Sequence, residues 1–322
     1  MSHAGRRFEF PEALREHRTR AGRLCWVTIA FLVAAAFLLA LTLGQSEAMK
    51  TAWVTDVLSM IPPAAWLVSR RYEQRPATPR FPYGYLRSSS VAFLVTASVL
   101  TIMGVWLFAD AALKLVRGQR PPIGAMELFG RQLWAGWAMI ATLAFSMFGA
   151  MILGRMKKKV AETLHDKVLE ADAKMNQAEW MSEGAAIVGI TLVAFGLWWG
   201  DAAAAAFIGA EIIRDGWLNV KQVVGDLMDE SPTKMGGREL EELPRKVREA
   251  AEALPWVARA GVRLRERGHA VGGDVFVVPR DEDRLLERLD EASERLRALD
   301  WRLHGLTVVP VKELDGVEPP KT

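Results

Sequence analysis

The sequence is poor in the side chains that form covalent cross-links and soft-metal sites. Its 322 residues include one cysteine, Cys25, and five histidines. A lone cysteine excludes an intrachain disulfide and a cysteine-based zinc site. Net charge is also small, because 41 Lys and Arg residues stand against 38 Asp and Glu residues, giving +3. The isoelectric point is nevertheless basic, and the membrane topology below accounts for it without a nucleic-acid partner.

Apolar and charged residues are both abundant, at 51% and 25%, and they are segregated along the chain. The long apolar runs lie in the first two thirds, while the remainder is dense in Arg, Glu and Asp. This division predicts two domains and a leading segment. We place a cytoplasmic N-terminal segment at 1–23, a transmembrane domain at 24–222 and a cytoplasmic domain at 236–316.

Runs of about 20 mainly apolar residues predict membrane spans. We count six, at 24–44, 51–69, 91–116, 133–154, 184–200 and 202–218. Pro62 and Pro63 fall inside the second and should kink or break it, because proline lacks the backbone donor of a helix interior.

Basic residues set the orientation of these spans. They concentrate before the first span, between the second and third, and between the fourth and fifth, where Arg70, Arg71 and Lys157 are examples. Since Lys and Arg are enriched in cytoplasmic loops, both termini are predicted to be cytoplasmic. We expect an integral, multi-pass protein of a bacterial inner membrane.

The charged tail reads as helix, strand, strand, helix, strand. The predicted elements are 239–254, 257–265, 274–278, 281–299 and 306–311, with a turn bracketed by Gly268 and the pair Gly272 and Gly273. One layer of amphipathic helices on an antiparallel sheet would bury their apolar faces. The tail contains no phosphate-binding loop, nucleophile elbow or Cys/His cluster. A binding or dimerisation module is therefore favoured over a catalytic one.

Polar residues inside the predicted spans are the candidate functional residues, since a charged group in lipid is costly. Asp56 and Ser59 lie in the second span, and Asp110 lies in the third. Around the start of the fifth, four polar residues share one helical face at spacings of four, three and four: Asp172, Asn176, Glu179 and Glu183. The alternatives without a function are that Asp56 is a carboxylate at the membrane interface and that Asp172 lies at a solvated helix end. All the ligand atoms are oxygens, which suit hard divalent cations better than zinc.

Several motifs together resemble the cation diffusion facilitator family of metal/proton antiporters. They are the loop 75–84 (RPATPRFPYG), Glu179 followed by 184–186 (GAA), the pair 201–202 (DA) and the segment 227–232 (LMDESP). The resemblance covers most of the chain from about Lys50 onward. It implies an all-α six-helix transmembrane domain, a small α+β ferredoxin-like (αββαβ) cytoplasmic domain and a homodimer.

The family's transport site uses paired polar residues four apart on its second and fifth helices, and this sequence departs from that pattern. On the second helix the matching positions are Thr55 and Ser59, with Asp56 one residue away. On the fifth they are Met175 and Glu179, with Asn176 one residue away. We therefore hypothesise a rearranged site made of Asp56, Ser59, Asn176 and Glu179.

Three further residues are accessory positions in this hypothesis. Asp172 is assigned to a wet cytoplasmic approach, Glu183 to a proton carrier or fifth ligand, and Asp110 to coupling with the site. No histidine occupies any ligand position, so Mn²⁺, Fe²⁺ or Mg²⁺ is favoured over Zn²⁺. The loop's usual acidic and histidine positions hold Thr78, Phe81 and Tyr85, and no accessory metal site is expected there.

The resemblance implies export of a divalent cation from the cytoplasm in exchange for protons, with the ion as substrate and no tightly bound cofactor. The alternative is a transport-inactive, membrane-anchored metal sensor or interaction protein of the same fold. An intramembrane enzyme would need a nucleophile with its base, or a histidine metal site, within the spans. Neither is found in the sequence, so we do not expect an enzyme.

Overall fold

The computed structural model describes residues 8, 10–42, 47–118, 125–128, 131–194, 199–235 and 239–314. They fall into two compact units. The helical unit comprises Glu16–Arg71 and Val91–Lys221, and the tail unit comprises Met1–Arg15, Tyr72–Ser90 and Gln222–Thr322.

Seven helices and one short hairpin precede the tail domain among the described residues. The helices are α1 (Glu12–Thr42), α2 (Glu47–Leu58), α3 (Ile61–Glu73), α4 (Ser88–Arg117), α5 (Ala135–Leu164), α6 (Lys167–Ala194) and α7 (Gly200–Leu227). The hairpin pairs β1 (Ala125–Leu128) with β2 (Arg131–Trp134). The sequence did not predict this hairpin, and it moves the start of α5 past Leu133, where the fourth span was expected to begin.

Three stretches are long and apolar enough to cross a membrane within the described residues: Glu12–Leu41, Ser88–Arg117 and Gly136–Leu164. They match the first, third and fourth predicted spans. The fifth and sixth predicted spans fall on α6 and α7, apart from residues 195–198, which lie outside the described residues. Helices α6 and α7 are not among these three stretches, and charged residues such as Glu179 and Arg214 lie within these two helices.

The second predicted span is broken, as its two prolines indicated. Helix α2 ends at Leu58 and α3 begins at Ile61, so Pro62 and Pro63 occupy the first turn of α3. Proline is tolerated there because a first-turn N–H has no partner within its own helix. Across the break Met60 N still donates to Val57 O at 3.3 Å, and Ala64 N donates to Met60 O at 3.3 Å.

The tail domain has the predicted order of elements. It consists of α8 (Leu243–Glu252), β3 (Val257–Arg267), β4 (Ala270–Pro279), α9 (Leu285–Arg297) and β5 (Leu303–Pro310). Its core contains Val247 of α8, Val275 and Val277 of β4, and Ala292 and Leu296 of α9. Phe8 and Phe10 pack on Trp301, with ring centroids 6.1 and 5.5 Å away.

Two predictions for the sheet were wrong. The sheet is mixed, because β3 and β4 are antiparallel while β4 and β5 are parallel. Helix α9 carries the chain back to the same end of the sheet before β5 begins, as a parallel connection requires. Strand β4 also begins at Ala270 rather than residue 274, since the turn lies at Gly268 and His269. Gly268 has a φ of +69° and a Cβ there would lie 2.5 Å from Leu86 O, so the turn requires glycine.

Candidate metal site

Polar side chains from α2 and α6 come together in the interior of the helical unit. The four residues of the hypothesised site, together with Glu183, are all buried: Asp56 1%, Ser59 0%, Asn176 1%, Glu179 2% and Glu183 4% exposed. The two helices pack against each other. The structure therefore brings five of the seven candidate residues into one buried region.

The break between α2 and α3 shapes this region locally. Asp56 lies in the last turn of α2, and Ser59 lies in the break itself. The chain is still turning there, because Ser59 N donates to Thr55 O at 2.9 Å. Asp56 and Ser59 are three apart, so this remaining turn keeps both side chains on one face.

Asp166 holds the start of α6 relative to α3. Its Oδ1 accepts a hydrogen bond from Leu169 N at 2.9 Å, which caps the N-terminus of α6. Its Oδ2 accepts a hydrogen bond from Trp66 Nε1 of α3 at 2.5 Å. Both Asp166 and Trp66 are buried. One carboxylate thus joins the start of α6 to α3, the helix that follows α2, and sequence reasoning had not singled it out.

The carboxylates of this region lie within electrostatic range of one another, and most of their oxygens accept no hydrogen bond within the described residues. Asp56 lies within electrostatic range of both Glu179 and Glu183. Ser59 faces Glu179 and Ser146 faces Glu183. These serines are not in hydrogen-bond geometry, since among the described residues Ser59 Oγ, Asp56 Oδ2 and all four oxygens of Glu179 and Glu183 lack a partner.

Buried acceptors without donors are rare in folded proteins, because each costs free energy. A bound cation would satisfy several of these oxygens at once. In the described part of the chain, however, no three His, Cys, Asp or Glu side chains converge as a metal-binding group. A metal held here would therefore also need oxygens from Ser59 or Asn176.

Asp172 does not lie in a wet approach, and that expectation was wrong. Its side chain is fully buried and forms an ion pair with Lys157 Nζ of α5 at 2.6 Å. Lys157 is also fully buried, and its Nζ donates to Asn176 Oδ1 at 3.4 Å. Sequence reasoning had counted Lys157 only among cytoplasmic basic residues.

A signal for the burial of Lys157 was present in the sequence. The buried residues Leu153, Lys157, Val160 and Leu164 of α5 follow one another at spacings of four, three and four. Three of them are apolar, which marks the face as buried. On the same face, Gly154 lets α5 approach α6, since a Cβ there would lie 3.0 Å from Asn176 Cβ.

Asp110 is not buried with these residues. It forms an ion pair with Lys114 one turn along α4, at 2.5 Å, and its side chain is 30% exposed. A neighbouring lysine and partial solvation account for this carboxylate without a ligand.

Comparison with known proteins gave a family match and several relatives. Residues 24–228 match the model of the cation efflux transmembrane domain. The manganese efflux system protein MneS of Bacillus subtilis is 23% identical over 267 residues, covering 82% of this chain and 85% of the relative. The zinc transporter ZitB of Pectobacterium atrosepticum is 23% identical over 283 residues, covering 85% and 82%. The uncharacterized transporter YdbO of Bacillus subtilis is 25% identical over 187 residues, covering 58% and 60%.

Proposed function

This chain belongs to the cation efflux family, whose members are transporters rather than enzymes, and on that premise we propose that it exports a divalent metal cation from the cytoplasm in exchange for protons. The observation that carries the proposal is a group of buried oxygens at Asp56, Ser59, Glu179 and Glu183 that have no hydrogen-bond partner in the part of the chain that the structure describes. An integral membrane protein gains nothing in stability from unpaired buried carboxylates. A transported cation gives them a use.

In this proposal Asp56, Ser59, Asn176 and Glu179 bind the ion, and Glu183 is a proton carrier or fifth ligand. The carboxylates of Asp56 and Glu179 supply the charge, while Ser59 and Asn176 supply neutral oxygens. An all-oxygen set without His or Cys favours Mn²⁺, Fe²⁺ or Mg²⁺ over Zn²⁺. The relatives are named for manganese and for zinc, so Mn²⁺ is the first ion to test.

Proton exchange follows from the ligand chemistry. A divalent ion and protons compete for the same carboxylate oxygens, so binding of the metal releases protons. If the buried oxygens of Asp56, Glu179 and Glu183 open alternately to the two sides of the membrane, each cycle moves metal one way and protons the other. Lys157, which pairs with Asp172, supplies a positive charge to the same region.

We further propose the architecture that the family implies. It has six membrane spans in 24–222, a cytoplasmic segment at 1–23 and a ferredoxin-like domain at 236–316. The αββαβ order of the tail domain and the parallel pairing of β4 with β5 support the ferredoxin-like assignment. Both termini are cytoplasmic, the membrane is a bacterial inner membrane, and the working unit is a homodimer.

The experiment is metal flux into proteoliposomes under an imposed pH gradient, measured ion by ion for Mn²⁺, Fe²⁺, Co²⁺, Zn²⁺ and Mg²⁺. We expect Mn²⁺ uptake accompanied by proton movement in the opposite direction. If none of these ions moves, the transport proposal is wrong. Equilibrium binding of Mn²⁺ without flux would instead support the alternative, a membrane-anchored metal sensor.

A further inference from the structure

Lys157 stands out among the charged groups of the helical unit because it is fully buried beside the proposed metal site. Its ammonium forms an ion pair with Asp172 Oδ2 at 2.6 Å, and Asp172 is also fully buried. Opposite charges at this distance attract each other strongly away from water, although within the described residues neither oxygen of Asp172 accepts a hydrogen bond of normal geometry. Asp172 therefore anchors the lysine at a fixed place on α6.

The second contact of Lys157 is weaker and involves a proposed ligand atom. Lys157 Nζ donates to Asn176 Oδ1 at 3.4 Å, beyond the usual hydrogen-bond length. Within the described residues the other end of the amide, Asn176 Nδ2, has no partner. The lysine can thus give up Asn176 while keeping Asp172. Its charge also acts on Glu179.

The contact to Asn176 uses the atom that a metal would need. An asparagine binds hard cations through its amide oxygen, and Oδ1 is the oxygen that faces the ammonium. A metal that enters must share this oxygen with Lys157 or displace the ammonium from it. It must also bind close to a positive charge, which weakens its attraction to Asp56 and Glu179.

We propose that Lys157 is a tethered cation that occupies Asn176 Oδ1 when no metal is bound and that keeps metal affinity low enough for release. The inference rests on the proposed transport function. Asp172 is the anchor of the lysine and not a metal ligand. Lys157 acts through Asn176 and Glu179, as a positioning residue that sets the balance between binding and release.

A purely structural ion pair would have different consequences. If Lys157 and Asp172 only joined α5 to α6, replacing both by neutral residues would leave metal affinity unchanged. A tethered cation has a specific kinetic signature, because its loss favours the bound state. Affinity should rise, and turnover should fall because release becomes slower.

The test compares Mn²⁺ uptake by proteoliposomes containing wild type, Lys157→Met/Asp172→Asn and Lys158→Met. The double variant removes both charges, so no buried carboxylate is left without a counter-charge. Lys158→Met is the matched control, since Lys158 is exposed on the same helix. We expect the double variant to have a half-saturation concentration about threefold lower and a reduced maximal rate, because Asn176 Oδ1 is freed while the loss of Asp172 offsets part of the lost positive charge. The control should equal wild type.

A second variant keeps the inference testable if the double variant does not fold. Lys157→Gln/Asp172→Asn removes both charges but keeps polar groups at both positions, and equilibrium Mn²⁺ binding to the detergent-solubilised protein should tighten by a similar factor. Unchanged or weaker Mn²⁺ binding in the neutral variants would overturn the role of Lys157 while leaving transport by wild type intact. Absence of flux in wild type is the separate result that overturns the proposed function.

Discussion

Each unit of this protein contains a buried charged group, and the two groups differ in whether they have hydrogen-bond partners. In the tail domain, Arg302 donates two hydrogen bonds to Glu241, at 2.8 and 2.9 Å, and another to Asp300 at 3.1 Å. In the helical unit, the oxygens of Glu179 and Glu183 have no donor among the described residues. Among the described residues, the carboxylate of Glu241 has its hydrogen-bond donors in place, whereas those of Glu179 and Glu183 do not.

The difference separates stability from function. A buried guanidinium with its acceptors in place is consistent with a structural role, because removing one partner would leave the other buried and unpaired. Buried carboxylates without donors cost stability, and proteins keep such groups where function needs them. Neutralising a charge should therefore destabilise the tail domain, but it should not destabilise the helical cluster, by which we mean the buried carboxylates of Asp56, Glu179 and Glu183.

The largest expected effect is loss of transport when a carboxylate of the helical cluster is neutralised. Glu179→Gln and Asp56→Asn should each lower Mn²⁺ flux in proteoliposomes by at least about a hundredfold, because each removes a charged ligand. Thermal unfolding should shift upward or not at all, since each change removes an unpaired buried charge. The combination of lost flux and retained stability is the signature of a ligand.

Asp110→Asn is the matched control for these variants, since Asp110 is paired with Lys114 and partly exposed. It should transport like wild type. Normal transport by Glu179→Gln and Asp56→Asn would show that the site is misplaced even if the protein transports metal. A marked loss of Mn²⁺ flux in Asp110→Asn would instead indicate that Asp110 takes part in transport.

The next effect tests the tail. Arg302→Ala should destabilise the tail domain by about 3 kcal/mol, because it removes the guanidinium that pairs with both oxygens of the largely buried Glu241 carboxylate. Although burial opposes the charged form, the hydrogen bonds that Arg302 donates to Glu241 and Asp300 raise the pKa of its guanidinium further above the usual value. The measurement is chemical unfolding, monitored by hydrogen exchange of the backbone amides of β5.

Arg245→Ala is the control for Arg302, because Arg245 pairs with Glu249 on the exposed face of α8. A surface pair of this kind contributes less than about 1 kcal/mol. Equal losses of unfolding free energy in the two variants would mean that burial does not make an ion pair of the tail more stabilising. The proposed difference between the tail domain and the helical unit would then be wrong.

Much of the fold could be predicted because local patterns carry it. The prolines at 62 and 63 predicted the break in the second span, and alternation and helical periodicity predicted the order of tail elements. The parallel pairing of β4 and β5 could not be read from either strand, since it depends on where α9 returns the chain. The start of β4 was missed because Gly272 and Gly273 were taken for a turn.

The candidate site was predicted less completely. Spacing along α6 predicted that Asn176, Glu179 and Glu183 share a face, and the structure buries them with Asp56 and Ser59. Lys157 and the burial of Asp172 were missed, because a basic run near a span end is typical of a cytoplasmic flank. Because Lys157 is charged, we expected it to be exposed, although the spacing of its apolar neighbours indicates a buried position.

A smaller effect on stability should come from replacing Asp166. This carboxylate has its hydrogen-bond donors in place, and it supports α6, the helix that carries Glu179 and Glu183 of the helical cluster. Asp166→Ala removes the N-cap of α6 and the acceptor of Trp66, and should destabilise the protein by about 2 kcal/mol. Thr163→Ala is the control, since its exposed hydroxyl donates to Lys159 O of the same helix. Thermal unfolding in detergent measures both, and equal values would remove Asp166 as a support of α6.

The smallest effect is a pH dependence of the tail unit. Asp229 accepts hydrogen bonds from Arg87 and Arg265. Slight burial opposes its charge, but these two hydrogen bonds lower the pKa of the carboxyl below its usual value. A lowered folded-state pKa contributes stability that is present above the unfolded pKa, about 4, and is lost as pH falls through the folded value.

Since Asp229 is partly exposed, solvent screening limits this contribution to less than about 1 kcal/mol. Wild type should therefore lose slightly more stability than Asp229→Asn when thermal unfolding is followed from about pH 6 to about pH 3. Asp283→Asn, at an exposed carboxylate 3.9 Å from Arg288, should follow the wild-type curve. If Asp229→Asn also follows the wild-type curve, the two arginines add nothing measurable to the stability of the tail unit. Paired carboxylates would then stabilise the tail only where the pair is buried, as it is around Arg302.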